Sequence, residues 1–256
     1  MSIERRIGVT VAVLGSLLLA VSGAVPALAR SGSAAGHSRP TGQGLADVAS
    51  VTSTSFGGWV FRSKGATSVT AEFKVPALTC TTATSGVGPL VTMTTGTTAA
   101  ETFNAAGLRL QCLKGKAVGA PVVHVDGTVT AGSHKVAAGD LIKATVTTSA
   151  SKTTATVADL TTGHTFTFTK SGKGAPALSE GIVDDALVSK TTGKQFPVAN
   201  FGKIAFRAAA ISGKAIGSVT PRVAVRMQTK AKVLQIQVGP ISGAKKNAFV
   251  TAWKHS

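Results

Sequence analysis

The stretch from Ala138 to Lys170 constrains the fold most, because its apolar residues recur with a period of two. Ile142, Ala144 and Val146 are separated by Lys143, Thr145 and Thr147. Successive side chains of an extended chain point to opposite faces, so this spacing gives one apolar and one wet face. Ser149-Ala150-Ser151-Lys152 then turns the chain, and Ala155 and Val157 alternate with Thr154 and Thr156. Leu160 ends that run before a turn at Thr161-Thr162-Gly163-His164. Phe166 and Phe168 share a face on the return strand. The stretch reads as an antiparallel meander.

Short Thr- and Val-rich runs of this kind, bounded by Gly, Pro, Asn or Asp, recur along the chain from Ser55. They lie at Phe56–Arg62, Ser68–Val75, Leu90–Thr95, Glu101–Leu113 and Ala120–Ala131. Others follow at Leu141–Thr148, Thr153–Leu160, Thr165–Thr169, Leu178–Asp184 and Gly202–Ile211. Arg222–Gln228, Lys232–Val238 and Ala248–Trp253 complete the series. No helical period and no internal repeat interrupts it. The expectation is an all-β chain folded as a two-sheet antiparallel sandwich, with one domain over residues 55–256.

What precedes that domain has a different character. Glu4-Arg5-Arg6 is followed by an apolar run from Ile7 to about Val21, and Ala27-Leu28-Ala29 offers small residues to a signal peptidase. Residues 1–29 therefore read as a signal peptide and the protein as secreted, with no membrane contact after cleavage. The run is short for a bilayer span and is broken by Gly15, Ser16, Ser22 and Gly23. Residues 30–54, rich in Gly, Ser, Ala and Pro, read as a flexible lead-in. In an oxidising compartment, Cys80 and Cys112 as the only two cysteines read as one disulfide, although two buried thiols also fit the count.

The chain carries a formal net charge of +17. Its lysines are scattered among Thr, Ser, Ala and Gly, and only Lys245-Lys246 forms a pair in the domain. Tyrosine is absent and the chain has two Trp, which argues against a stacking platform for single-stranded nucleic acid. Such a field still attracts polyanions, for example anionic envelope polymers. No metal site, cofactor or specific nucleic-acid partner is expected, and the protein is expected to be a monomer. There is no Gly-x-Ser-x-Gly elbow for a serine hydrolase and no glycine loop opening a helix for phosphate.

One segment stands out chemically. Ala177-Leu178-Ser179-Glu180-Gly181-Ile182-Val183-Asp184-Asp185 gathers three acids in a chain that has few. On a strand, Leu178, Glu180, Ile182 and Asp184 share one face. Spacing alone leaves open both a catalytic pair of carboxylates and a solvated rim.

The order of several motifs resembles the glutamic peptidases, or eqolisins, over nearly the whole expected domain. Those motifs are Ala71-Glu72-Phe73-Lys74-Val75-Pro76, Gly139-Asp140 and Ala155-Thr156-Val157-Ala158-Asp159-Leu160-Thr161-Thr162-Gly163. Ser179 to Asp185 and Ala199-Asn200-Phe201-Gly202 complete the set. The resemblance implies a secreted acid endopeptidase acting on polypeptides, on a concanavalin A-like (lectin/glucanase) sandwich with a concave groove. In that family a glutamate activates water and a glutamine amide stabilises the oxyanion. The glutamate falls on Glu180. The glutamine should fall near Ala105, where there is none. Asn104 is the nearest amide, one residue off and one methylene shorter, a weak substitute. The resemblance places the groove at Phe56, Trp59, Thr94 and His124, with most family aromatics and acids replaced. Loss of an oxyanion donor costs on the order of 3–4 kcal/mol in the transition state. The sequence thus points to a peptidase-like protein of weak or absent activity, or to a binding module for an anionic polymer or carbohydrate on the same scaffold.

Overall fold

The computed structural model describes residues 51–255, apart from 64, 82, 98–99, 172–176 and 190. The expected signal peptide and all but the end of the lead-in lie outside the described residues. The first strands are β1 (Val51–Ser53), β2 (Phe56–Phe61), β3 (Ser68–Lys74), β4 (Ser85–Thr97) and β5 (Ala100–Leu113). Next come β6 (Lys116–Val125), β7 (Thr128–Ala131), β8 (Leu141–Thr148), β9 (Lys152–Asp159) and β10 (Thr165–Ser171). β11 (Ala177–Asp185), β12 (Lys203–Ile211), β13 (Lys214–Ala215) and β14 (Arg222–Gln228) follow, then β15 (Leu234–Val238) and β16 (Phe249–Trp253). The one helical turn among the described residues is a 3-10 segment at Ile216–Ser218.

All-β architecture is thus what forms, and the meander closes as its alternation requires. Ile142, Ala144 and Val146 are fully buried, and β8 pairs with β9 from Ile142↔Asp159 to Thr148↔Thr153. The strands nevertheless do not split into two separate ladders. Hydrogen bonds run through one continuous path, β10-β9-β8-β3-β12-β16-β15-β14-β2-β11-β4-β5-β6-β7, antiparallel throughout. β1 adds to β14 in parallel, inside the stretch expected to be lead-in. The path curls back so that β5 and β6 pack against β8 and β9. One main core results, joining Val91, Leu108 and Val123 to Ile142, Val157, Phe73, Phe206 and Phe249.

The expected single strand Ala120–Ala131 is a hairpin. Asp126 and Gly127 take φ of 47° and 77°, the left-handed pair of a two-residue turn whose twist matches the strands on either side. Lys114-Gly115 turns β5 into β6 the same way, with φ of 50° and 77°.

Cys80 and Cys112 form a disulfide across a separation of 32 residues, tying the segment before β4 to the end of β5. Constraining a loop of this size in the unfolded chain stabilises the fold by about 3–4 kcal/mol in the chain-entropy view. Cys80→Ala, which leaves the fully buried Cys112 in place, should lower the unfolding free energy by that amount. Urea denaturation under non-reducing conditions measures it.

Candidate functional site

β11 carries the acidic segment and lies between β2 and β4, in register Glu180↔Phe61, Ile182↔Trp59 and Asp184↔Gly57 on one side. On the other side Glu180 faces Met93 and Gly181 faces Thr92. Across β4 the register continues as Met93↔Asn104 and Thr92↔Ala105, and then Ala105↔His124. Side chains in register share a face, so two rows follow directly. Phe61, Glu180, Met93 and Asn104 occupy one face. Val60, Gly181, Thr92, Ala105 and His124 occupy the other.

The first face is the core face, since Phe61, Met93, Trp59, Ile182 and Val91 all belong to the main core. Glu180 is 1% exposed. The Ser63 backbone N–H donates to its Oε2 at 3.1 Å, and Oε1 has no hydrogen-bond partner among the described residues. Burial raises its carboxyl above the ordinary value, against the opposing pull of the Ser63 backbone and side chain. Asn104 is equally buried. Its Nδ2 donates to the Met93 carbonyl and to Thr95 Oγ1, both at 3.3 Å, and its Oδ1 accepts the Asp126 N–H at 3.0 Å. That amide braces the start of the β6–β7 turn. Two inter-strand steps, roughly 10 Å of backbone separation, lie between Glu180 and Asn104, with Met93 in the gap. The structure therefore sets the two on one face and keeps them out of contact.

The second face holds three of the expected groove residues. Thr94, half-buried, pairs with Phe103, whose ring meets His124 edge-on at 5.3 Å. Phe56, Phe103 and Val122 pack on a small cluster of Leu90, Ala105 and Val183. Burial lowers the pKa of His124, so it stays a neutral imidazole further into acid than usual. Trp59 departs from the expectation. It turns to the core face, 6% exposed, and its indole N–H donates to the Gly239 carbonyl at 3.1 Å. Its parity with Phe61 and Ile182 makes that side obligatory.

Asp184, which spacing pairs with Glu180 on one face, is no solvated rim residue. It shares the core face with Glu180, is fully buried, and neither carboxyl oxygen has a hydrogen-bond partner among the described residues. Burial pushes its pKa up to about 7, the nearby Thr251 hydroxyl tempers the rise, and Asp185 adds to it. Asp185 keeps partial contact with solvent and is raised in the same direction, again by burial. The sequence signal was available, since Asp184 lies four residues from Glu180 on one pleat face. Among the described residues no group of three or more His, Cys, Asp or Glu is placed to hold a metal ion.

Comparison with known proteins identifies this helix-poor, mostly antiparallel sheet with an acidic strand at its interior. The Peptidase A4 family profile matches residues 54–242. The chain belongs to that family, the eqolisins. Scytalido-glutamic peptidase, crystallised with a peptide-based transition-state analogue, superposes with a TM-score of 0.64 at 15% identity, over 78% of this chain and 98% of that one. SCP-B, a member of the eqolisin family in complex with a tripeptide, gives 0.60 at 17% identity, over 78% and 98%. Aspergilloglutamic peptidase from Aspergillus niger gives 0.53 at 20% identity, over 66% and 99%. Likeness at these identities establishes the fold alone. No curated protein sequence matches the chain.

Proposed function

We propose that this is an exported member of the glutamic-peptidase family that retains the peptide-cleaving scaffold and has lost most of its chemistry. We take the two halves of the sheet path as the layers of the family's lectin/glucanase-like sandwich, and the Gly181–Thr92–Ala105–His124 face as its groove. One observation carries this reading: that row contains no carboxylate and no side-chain amide, while Glu180 and Asn104 lie on the opposite face, separated by Met93, Glu180 holding one backbone N–H and Asn104 tied to its neighbours. A general base must reach the water it activates, and an oxyanion donor must point where charge develops. Neither condition is met by Glu180 with Asn104 in this arrangement. Asp184 has the raised pKa an acid catalyst needs but faces the core, and Asp185, raised likewise and on the Gly181 face, lies beside Phe56 four residues from that row with no amide in register.

Purified mature protein incubated with a denatured polypeptide across pH 2–7 should digest it no faster than Glu180→Gln does. Digestion by the wild type that Glu180→Gln abolishes would show that the carboxyl reaches substrate, and the proposal would fail.

The net charge of +17 favours a second reading, a non-catalytic domain that holds an anionic envelope polymer or a carbohydrate on the same face. Retention on isolated cell walls should then fall steeply as salt is raised. Retention indifferent to salt contradicts charge-driven binding.

A further inference from the structure

Away from the acidic strand, a cavity of about 170 Å³ opens between the β6–β7 end of the sheet path and the β8–β10 end. Its floor is apolar, made by Pro121, Val136, Ile142, Val157 and Phe166. Gly132 keeps the space clear: a Cβ at that position would press on the Phe166 ring at 3.1 Å and on Pro121 at 3.3 Å. The mouth is polar, with Ser133, His134, His164 and Thr165 around it.

The polar groups are arranged rather than scattered. Asp159, 2% exposed, accepts the Thr161 and Thr162 N–H groups on Oδ1 at 2.9 and 3.2 Å. Its Oδ2 lies 3.2 Å from His134 Nε2, which is also 3.3 Å from Thr162 Oγ1. Burial works to raise the Asp159 pKa, but the hydrogen bonds from Thr162, His134 and Thr161 outweigh it and hold the group below its ordinary value. Both carboxylate oxygens are therefore occupied, and Asp159 acts as the anchor of the His134 ring. In the neutral ring with its proton on Nε2, toward the carboxylate, His134 Nδ1 is a hydrogen-bond acceptor. The His164 ring lies against the His134 ring, centroids 4.1 Å apart and planes tilted by 36°.

Two classes of occupant do not suit this cavity. In a chain with 27 Lys and Arg, none lines it, so it offers an anion no permanent cation. No metal-holding cluster exists among the described residues. The space equals the liquid volume of about six waters at roughly 30 Å³ each, and is below the roughly 300 Å³ of a drug-sized pocket. An apolar floor that includes an aromatic ring, below a rim of hydroxyl and imidazole groups, suits a small ring with one C–H face and one hydroxyl edge.

We propose that this cavity is a binding site, separate from the acidic strand, for a single neutral sugar unit. Its C–H face rests on Phe166 and Pro121, and its hydroxyls meet Ser133, Thr165 and the free nitrogen of His134. Phe166 belongs to β10, an end strand of the path, so the site sits at an end of the sheet and can take the terminal unit of a glycan.

Imidazole signals of His134 and His164 in NMR spectra of the mature protein provide the test. The probes are the methyl glycosides of glucose, galactose, mannose and N-acetylglucosamine, with methyl glucuronide and N-acetyl-leucine amide for comparison. At least one neutral glycoside should shift both histidine signals saturably. Gly132→Leu, which fills the cavity, should weaken that binding at least tenfold. His164→Ala, which alters an exposed ring and spares the core, should weaken it several-fold and keeps the test valid if Gly132→Leu does not fold. The proposal is overturned if no neutral glycoside gives a saturable shift, or if neither variant weakens binding. Tighter binding of the glucuronide would replace it with an anion site, and binding of N-acetyl-leucine amide alone would replace it with a peptide-docking site.

Discussion

Asp184 alone should make the unfolding free energy of this protein fall by about 3 kcal/mol between pH 4 and pH 7, and Asp184→Asn should remove that part of the fall. Asp184 is fully buried without a hydrogen-bond partner among the described residues, and its pKa is pushed from the ordinary 3.8 to about 7. A group whose folded pKa is raised binds its proton more tightly in the native state. Below the ordinary value both states are protonated and the contribution to stability is complete. As pH rises toward about 7 the unfolded chain ionises first, and native stability drains away at about 1.4 kcal/mol per pH unit. Glu180 and Asp185, both raised by burial, act in the same direction and remain in Asp184→Asn. Asp159 acts oppositely: its lowered pKa contributes stability above the unfolded value, which is lost as pH falls through the folded one. Urea titrations of wild type and Asp184→Asn at pH 4, 5.5 and 7 separate these contributions. A wild-type profile flat over that range, or a variant with an unchanged slope, contradicts the assignment. Such a chain is built to be most stable in mild acid.

Phe206→Ala should cost about 4 kcal/mol, much of the roughly 5–15 kcal/mol that a domain has in total. Phe206 is fully buried on β12, stacked on Phe249 with centroids 4.9 Å apart and tilted against Phe73 at 5.4 Å. These rings pin β3, β12 and β16 together in the interior of one half of the path. Removing one leaves a ring-sized cavity that backbones held by ladders on both sides cannot close. Phe168, half-buried on the end strand β10, should cost well under half as much when truncated. Midpoints of urea denaturation at pH 4 compare the two. Equal costs would mean that the aromatic cluster is not the keystone of the fold.

Most of the fold was legible because one face of each outer strand is wet. Thr145, Thr154 and Thr156 mark solvent, and the opposite parity of Ala144, Ala155 and Val157 marks the core. Where that contrast fails, the reading failed. The expected strand begins at Leu90, yet β4 opens at Ser85, through a Gly- and Pro-containing stretch without the alternation. Gly86 pairs there with Gln111, and a Cβ at Gly86 would run into the Leu187 side chain. The Asp126-Gly127 turn lies inside an otherwise unbroken β-prone run, and only that dipeptide, which favours a two-residue hairpin, marks it.

The site was harder for a related reason. Ile182 enters the main core and Val183 enters the second cluster, so β11 is buried on both faces. Parity correctly grouped Glu180 with Ile182 and Asp184. With apolar residues on both sides, it could not say which group meets the core. That decision comes from β2 and β4, whose Trp59, Phe61 and Met93 fill the core side of the same rows. Trp59 illustrates the same point, since an aromatic near an expected groove is equally at home on the far side of its strand.

The central claim is that the scaffold of a peptidase remains without a transition-state-stabilising pair on its substrate face. Isothermal titration at pH 4 with two peptides of one sequence tests it most directly, one an ordinary amide and the other bearing a tetrahedral transition-state mimic at the scissile position. An active site complementary to the transition state binds the mimic at least about 100-fold more tightly than the substrate. The account predicts equal affinities for the two peptides, or no binding of either. A mimic bound a hundredfold more tightly, with the preference lost in Glu180→Gln or Asp184→Asn, would contradict it.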